Sequence, residues 1–75
     1  MPVVVYVLLV TDIGKEAEVK KSLEMIKGIT EVRVVYGEFD IAARLETPSL
    51  KELDEIVTEM RKISSIIRSV TLISA

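Results

Sequence analysis

Hydrophobic and polar positions follow two different periods along the chain, and each change of period marks an element. Residues 3–10 form an unbroken apolar run rich in β-branched side chains, which is typical of a strand buried on both faces. Residues 15–27 and 50–63 carry apolar side chains three and four positions apart, which predicts two helices with one apolar stripe each. Strand-like patterns also cover residues 30–36, 39–46 and 66–74. The pattern therefore predicts the element order β-α-β-β-α-β.

That element order predicts an α+β fold of the ferredoxin-like type. With right-handed crossovers, the four strands form one antiparallel sheet in the order 4-1-3-2, and both helices cover the same face. The first strand is then central, but 75 residues do not supply a cover for its second face, so we expect the sheets of two copies to pair in a dimer. The sequence contains no linker or low-complexity segment, and residues 1–75 are predicted to form a single domain.

The central hairpin contains the position that most resembles a site. Gly37 can adopt a positive φ without steric cost, so residues 36–39 are predicted to form a tight turn between the second and third strands. Beyond the turn, strict alternation directs Phe39 and Ile41 toward the helices and Asp40 toward the opposite face. A carboxylate is thus expected just inside a strand, beside a flexible turn.

Composition removes several classes of function. The chain has no cysteine and no histidine, which excludes disulfides, thiol nucleophiles and histidine-based catalysis, and we expect neither a metal nor a cofactor. Ten basic and twelve acidic residues give a formal charge of −2, without the basic stripe of a nucleic-acid-binding surface. No apolar run approaches the ~20 residues that span a bilayer, so no membrane association is expected and a cytoplasmic location is predicted.

Two stretches resemble the effector-binding domain of Lrp/AsnC-type transcription regulators, the RAM domain. The first runs from Gly28 to Asp40 and contains a glycine-x-x-aspartate turn, Gly37-Glu38-Phe39-Asp40. The second is the last strand, where Ser69-Val70-Thr71 is similar to the Thr-x-Thr pattern of that family. The resemblance covers essentially the whole chain.

The resemblance implies an amino-acid-binding and oligomerisation module that is not an enzyme. It places the ligand at the hairpin, with Asp40 holding the α-amino group and polar wall positions on the last strand. The implied ligand-binding residues are Gly37, Glu38, Phe39, Asp40, Ser69 and Thr71. The resemblance also implies that two domains pair through their sheets and that the dimers assemble into rings, commonly octamers. The expected interface residues are Val5, Val7, Tyr36 and Arg44.

Full-length members of that family begin with a helix-turn-helix domain, whereas this chain starts at the first strand. We therefore expect a stand-alone module without direct contact to nucleic acid, which binds an amino acid by itself or joins full-length regulators. One alternative is an ACT-type domain, which has the same element order and also binds amino acids. Another is an enzyme of the dimeric α+β barrel type, although the histidine, tryptophan and asparagine that such cavities use are absent.

Overall fold

All six predicted elements form in the computed structural model, which describes residues 2–75. Their bounds are β1 Val3–Thr11, α1 Glu16–Glu24, β2 Ile29–Val34, β3 Ile41–Thr47, α2 Leu50–Arg61 and β4 Ile66–Ile73. Helix α1 is shorter than its apolar pattern, because the chain leaves the helix at Met25 and turns through Gly28, whose φ of 102° suits glycine. Strand β3 begins at Ile41 rather than Phe39, so the hairpin connection is longer than predicted.

The strands form one antiparallel sheet in the order β2-β3-β1-β4, which confirms the predicted order, counted from the other edge. Central strand β1 pairs with β3 on one side and with β4 on the other. The apolar stripes of both helices pack on the same face of this sheet, where buried residues such as Val19 of α1 and Ile56 of α2 join the core. The ferredoxin-like fold predicted from the sequence is therefore confirmed.

Alternate residues of β1 face two different environments. Val5, Val7 and Leu9 are at most 1% exposed and pack with the helices. The residues between them face away from the helices, and Tyr6 is 46% exposed. Val5 and Val7 were expected at an interface, but the structure places them in the core of the domain itself, because the odd-numbered positions of β1 face the helices.

We name the side of the sheet that the helices leave uncovered the open face. Its centre is formed by Val4, Tyr6, Leu8 and Val10 of β1, Ala42 and Arg44 of β3, and Arg68, Val70 and Leu72 of β4, and the charged Glu31, Arg33 and Glu46 lie on the same face. Most of these side chains are apolar, and Leu8 has Ala42 on one neighbouring strand and Val70 on the other. A contiguous apolar surface of this kind is typical of a face that pairs with another protein.

The edge strand β4 has an irregularity near its start. Val10 pairs with Arg68, but the next residue, Thr11, pairs with Ile66, so Ile67 is an extra residue on β4. Ile66 packs against the core, whereas Arg68 lies on the open face. Strict alternation would put Ile66 and Arg68 on one face, and the bulge separates them.

Helix α2 begins after Ser49, which forms with Glu52 the sequence pattern of a capping box. The Ser49 hydroxyl donates to the Glu52 carboxylate and does not cap a backbone N–H, so the two side chains bind each other instead of forming the capping bond of Ser49. The hydrogen bond from Ser49, together with the backbone N–H of Glu52 itself, lowers the pKa of the Glu52 carboxyl.

Candidate functional site

The connection between β2 and β3 is a hairpin with an open tip. The Val35 N–H donates to the Asp40 carbonyl oxygen at 2.8 Å, which closes the loop around four residues. Gly37 has a φ of 127°, and a Cβ placed on it would meet no atom within 4 Å. The backbone conformation of the tip therefore favours glycine, while the space around it is open. Tyr36 is fully exposed at this tip, and Glu38 is exposed as well.

Asp40 ties the hairpin to the end of β1. Its backbone N–H donates to the Leu9 carbonyl oxygen at 2.8 Å, and its side-chain Oδ2 accepts the Thr11 N–H at 2.9 Å. If the ladder between β1 and β3 continued, a backbone carbonyl would accept the Thr11 N–H. Here the Asp40 carboxylate takes the place of that carbonyl. This contact fixes the orientation of the carboxylate at the end of the sheet.

A cation reaches the same hairpin from the far side of β1. The guanidinium carbon of Arg68 lies 5.9 Å from the centroid of the Phe39 ring, within the range of a cation–π contact. Because Arg68 pairs with Val10, its side chain crosses β1 to reach the hairpin. The Phe39 ring therefore contacts a residue of the open face, whereas alternation predicted that Phe39 would face the helices. Sequence reasoning assigned no role to Arg68, although a lone charge in an apolar strand was a signal for one.

The two hydroxyls predicted as polar wall positions lie elsewhere. Ser69 is opposite Leu9, and Thr71 is opposite Val7, so both are on the helix-covered face of β4. They line a cavity of about 20 Å³ together with residues of α2 such as Met60. Within one chain, the structure therefore groups the four predicted hairpin residues and separates them from Ser69 and Thr71 by β1.

Arg44 lies on the open face in a polar cluster of its own chain. Its guanidinium donates to Thr30 Oγ1 at 2.9 Å and to the Glu46 carboxylate at 3.2 Å. The hydrogen bond to Glu46 raises the pKa of Arg44; partial desolvation opposes this effect, and Tyr6 adds to it. Arg44 is thus paired with Glu46 within its own chain, whereas the Asp40 carboxylate binds the Thr11 N–H.

Residues 2–75 contain no group of three histidine, cysteine, aspartate or glutamate side chains placed to hold a metal ion. In that same part of the chain, no helix has the length and apolar character needed to cross a membrane.

Comparison with known proteins adds a family to this geometry. The family model of the Lrp/AsnC ligand binding domain matches residues 4–75. The chain belongs to this family. An uncharacterised HTH-type transcriptional regulator of Pyrococcus furiosus is 33% identical over 60 residues, which are 79% of this chain and 40% of that protein. The part of this Lrp/AsnC domain that matches thus spans less than half the length of this relative.

Solved structures confirm the Lrp/AsnC fold. A hypothetical protein from Pyrococcus horikoshii is 40% identical, with a TM-score of 0.92 over 97% of this chain and 89% of that one. The protein FFRP-DM1 is also 40% identical, with a TM-score of 0.91 over 97% of this chain and 99% of that one. A feast or famine regulatory protein from M. tuberculosis, described as complexed with L-methionine, shares the fold at 18% identity. Its TM-score is 0.80 over 96% of this chain and 49% of that one.

Proposed function

We propose that this Lrp/AsnC domain binds a free amino acid at the β2–β3 hairpin and assembles through its open face, serving transcription regulation rather than catalysis. The observation that carries the proposal is the placement of Asp40, whose carboxylate is oriented by the Thr11 N–H beside an open glycine turn. An oriented carboxylate is a strong acceptor for an ammonium group. The relative described as a complex with L-methionine supports the ligand class.

In this proposal the primary site consists of the four hairpin residues, Gly37, Glu38, Phe39 and Asp40. Gly37 leaves room for a ligand, Phe39 offers an apolar surface, and Asp40 binds the α-amino group. Ser69 and Thr71 remain outside the primary site, because β1 separates them from the hairpin.

Assembly is the second part of the proposal. The open face is apolar along β1 and β4, and Leu72 is 50% exposed in the single chain, so pairing with a second copy would remove apolar surface from water. Ile13 and Tyr36 are both fully exposed near the hairpin end of the sheet, which supports further contacts between dimers in a ring. The open face would also fit the matching face of a full-length regulator. In that case this domain would work in the cytoplasm together with the regulator.

A thermal-shift experiment on the whole chain tests the ligand site. The wild type is melted with each of the twenty amino acids, and the measurement is repeated for Asp40→Asn and Asp54→Asn. Asp54 lies on the exposed side of α2, so its variant makes the same change of charge far from the hairpin. At 100 times its Kd, a ligand stabilises the folded state by about 2.7 kcal/mol, which raises Tm by roughly 10–20 °C in a domain of this size.

We expect a selective shift in the wild type and in Asp54→Asn, and a strongly reduced shift in Asp40→Asn. An undiminished shift in Asp40→Asn would place the ligand elsewhere, and the absence of any shift in the wild type would exclude amino-acid sensing by this chain.

A further inference from the structure

We infer that Arg68 binds the carboxylate of the amino acid whose ammonium group is held by Asp40, so that the site selects zwitterionic α-amino acids over amines and acids. The inference rests on the proposed function and adds to it a second binding residue and the group of the ligand that this residue holds. It depends on the positions of the Arg68 guanidinium and the Asp40 carboxylate, which both lie at the β2–β3 hairpin.

The geometry brings these two charges together from different strands. Arg68 lies on the edge strand β4 opposite Val10 of β1, and its guanidinium carbon is 5.9 Å from the centroid of the Phe39 ring. Phe39 directly precedes Asp40, and consecutive Cα atoms are about 3.8 Å apart. The guanidinium therefore lies beside the same hairpin that presents the Asp40 carboxylate.

The two charges are held without neutralising each other. The ion pairs found within residues 2–75 join other partners: Lys15 with Glu18, Lys20 with Glu24, Arg33 with Glu31, Arg44 with Glu46, and Lys62 with Glu59. Arg68 instead rests on an aromatic ring, and Asp40 accepts a backbone N–H. A ligand that carries an ammonium and a carboxylate on one carbon complements both groups at once.

The contact with Phe39 also prepares Arg68 for this role. A guanidinium stacked near an aromatic ring keeps its N–H donors available at its edge, and its planar fork matches a carboxylate in bidentate fashion. The half-buried Phe39 ring beside the guanidinium excludes some water from it, which strengthens a hydrogen bond to a ligand.

The test uses calorimetric titration of the whole chain with L-methionine and with L-methioninamide, which keeps the ammonium group but lacks the carboxylate. If another amino acid gives the larger thermal shift, that amino acid and its amide replace this pair. The proteins are the wild type, Arg68→Gln, Arg68→Lys and the control Arg33→Gln. Arg33 is an exposed arginine of β2 that lies opposite Ala42 and pairs with Glu31 rather than with the Phe39 ring, so its variant makes the same change of charge without altering that contact.

We expect the wild type and Arg33→Gln to bind the amino acid more tightly than its amide. Arg68→Gln should bind the amino acid about 10- to 100-fold more weakly than the wild type, which is the worth of a hydrogen-bonded charge pair. Its affinity for the amide should be unchanged, and Arg68→Lys should recover part of the loss.

The alternative outcomes separate this inference from the proposed function. If Arg68→Gln binds the amino acid as tightly as the wild type does, the role of Arg68 is overturned while the hairpin site stays in place. If Arg68→Gln loses affinity for the amino acid and for the amide equally, the inference is also overturned, since Arg68 would then only position Phe39. If no amino acid binds the wild type, the proposed function and this inference fall together.

Discussion

The backbone N–H of Thr11 donates a hydrogen bond to Oδ2 of Asp40 at 2.9 Å, although 29 positions separate the two residues along the chain. This bond gives Asp40 a structural role in addition to its proposed role in ligand binding. The two roles can be separated, because an amide oxygen accepts an N–H as a carboxylate does but carries no charge.

The first prediction concerns the stability of Asp40 variants. Asp40→Ala removes the acceptor of the Thr11 N–H and should lower the free energy of unfolding by about 1–2 kcal/mol. Asp40→Asn keeps an acceptor oxygen and should lose less than half as much. Urea denaturation measures both, and equal losses in the two variants would show that the Thr11 bond contributes nothing.

The hairpin also shows how far the sequence predicts the site. Its glycine turn and its likeness to one family were evident from residues 28–40, because a positive φ and a strand alternation are local properties of the chain. The bond between Asp40 and Thr11 was not evident, since it joins a side chain to a backbone group of a distant strand. The reach of Arg68 to Phe39 likewise depends on the order of three strands in the finished sheet.

The faces of the strands were predicted less well than the strands themselves. The unbroken apolar run of β1 predicted burial on both faces, but it could not say which residues face the helices. Val5 and Val7 were therefore expected at an interface, although they lie in the core. The bulge at Ile67 could not be predicted either, because an extra residue in β4 is defined only by its pairing with β1.

The second prediction distinguishes the two faces of β1. Val7 is 1% exposed and faces the helices, whereas its neighbour Leu8 lies on the open face. Val7→Lys buries an unpaired charge in the core and should unfold the chain, since such burial costs several kcal/mol. Leu8→Lys should leave the monomer folded but prevent pairing of the sheets. Circular dichroism reports the fold, and sedimentation equilibrium reports the mass.

If Leu8→Lys sediments with the same mass as the wild type, the open face is not the pairing surface. A folded Val7→Lys protein would contradict the assignment of the odd-numbered positions of β1 to the core.

The third prediction concerns two buried threonines with different surroundings. Within residues 2–75, the Thr11 hydroxyl is buried and has no hydrogen-bond partner, whereas the Thr47 hydroxyl donates to the Ser49 carbonyl oxygen at 3.0 Å. Replacing an unsatisfied buried hydroxyl by a methyl group removes a desolvation cost. Thr11→Val should therefore be neutral or stabilising by up to about 1 kcal/mol, and its backbone N–H still binds Asp40.

Thr47→Val is the matched control, because it makes the same chemical change at a position that is also almost fully buried. It should lower the free energy of unfolding by about 1 kcal/mol, since it leaves the Ser49 carbonyl without that donor. Urea denaturation compares the two variants. A loss in Thr11→Val as large as that in Thr47→Val would show that the Thr11 hydroxyl does bind a partner.

The fourth prediction follows from the start of α2. The Ser49 hydroxyl donates to the Glu52 carboxylate and is the main reason why the pKa of Glu52 is lowered in the folded chain. A lowered pKa means that the ionised form is favoured by folding, so this contribution to stability is full above the unfolded pKa. It is lost as the pH falls through the folded pKa.

Ser49→Ala should therefore raise the pKa of Glu52 toward its ordinary value, as followed by NMR titration of its side-chain carboxyl carbon. The stability difference between the wild type and Ser49→Ala should be larger at neutral pH than at a pH below the folded pKa of Glu52. Ser22→Ala is the control, because the Ser22 hydroxyl donates to the backbone carbonyl of Glu18 and to no carboxylate in that contact. If Ser49→Ala leaves the titration of Glu52 unchanged, the carboxylate is held by its own backbone N–H and not by the serine.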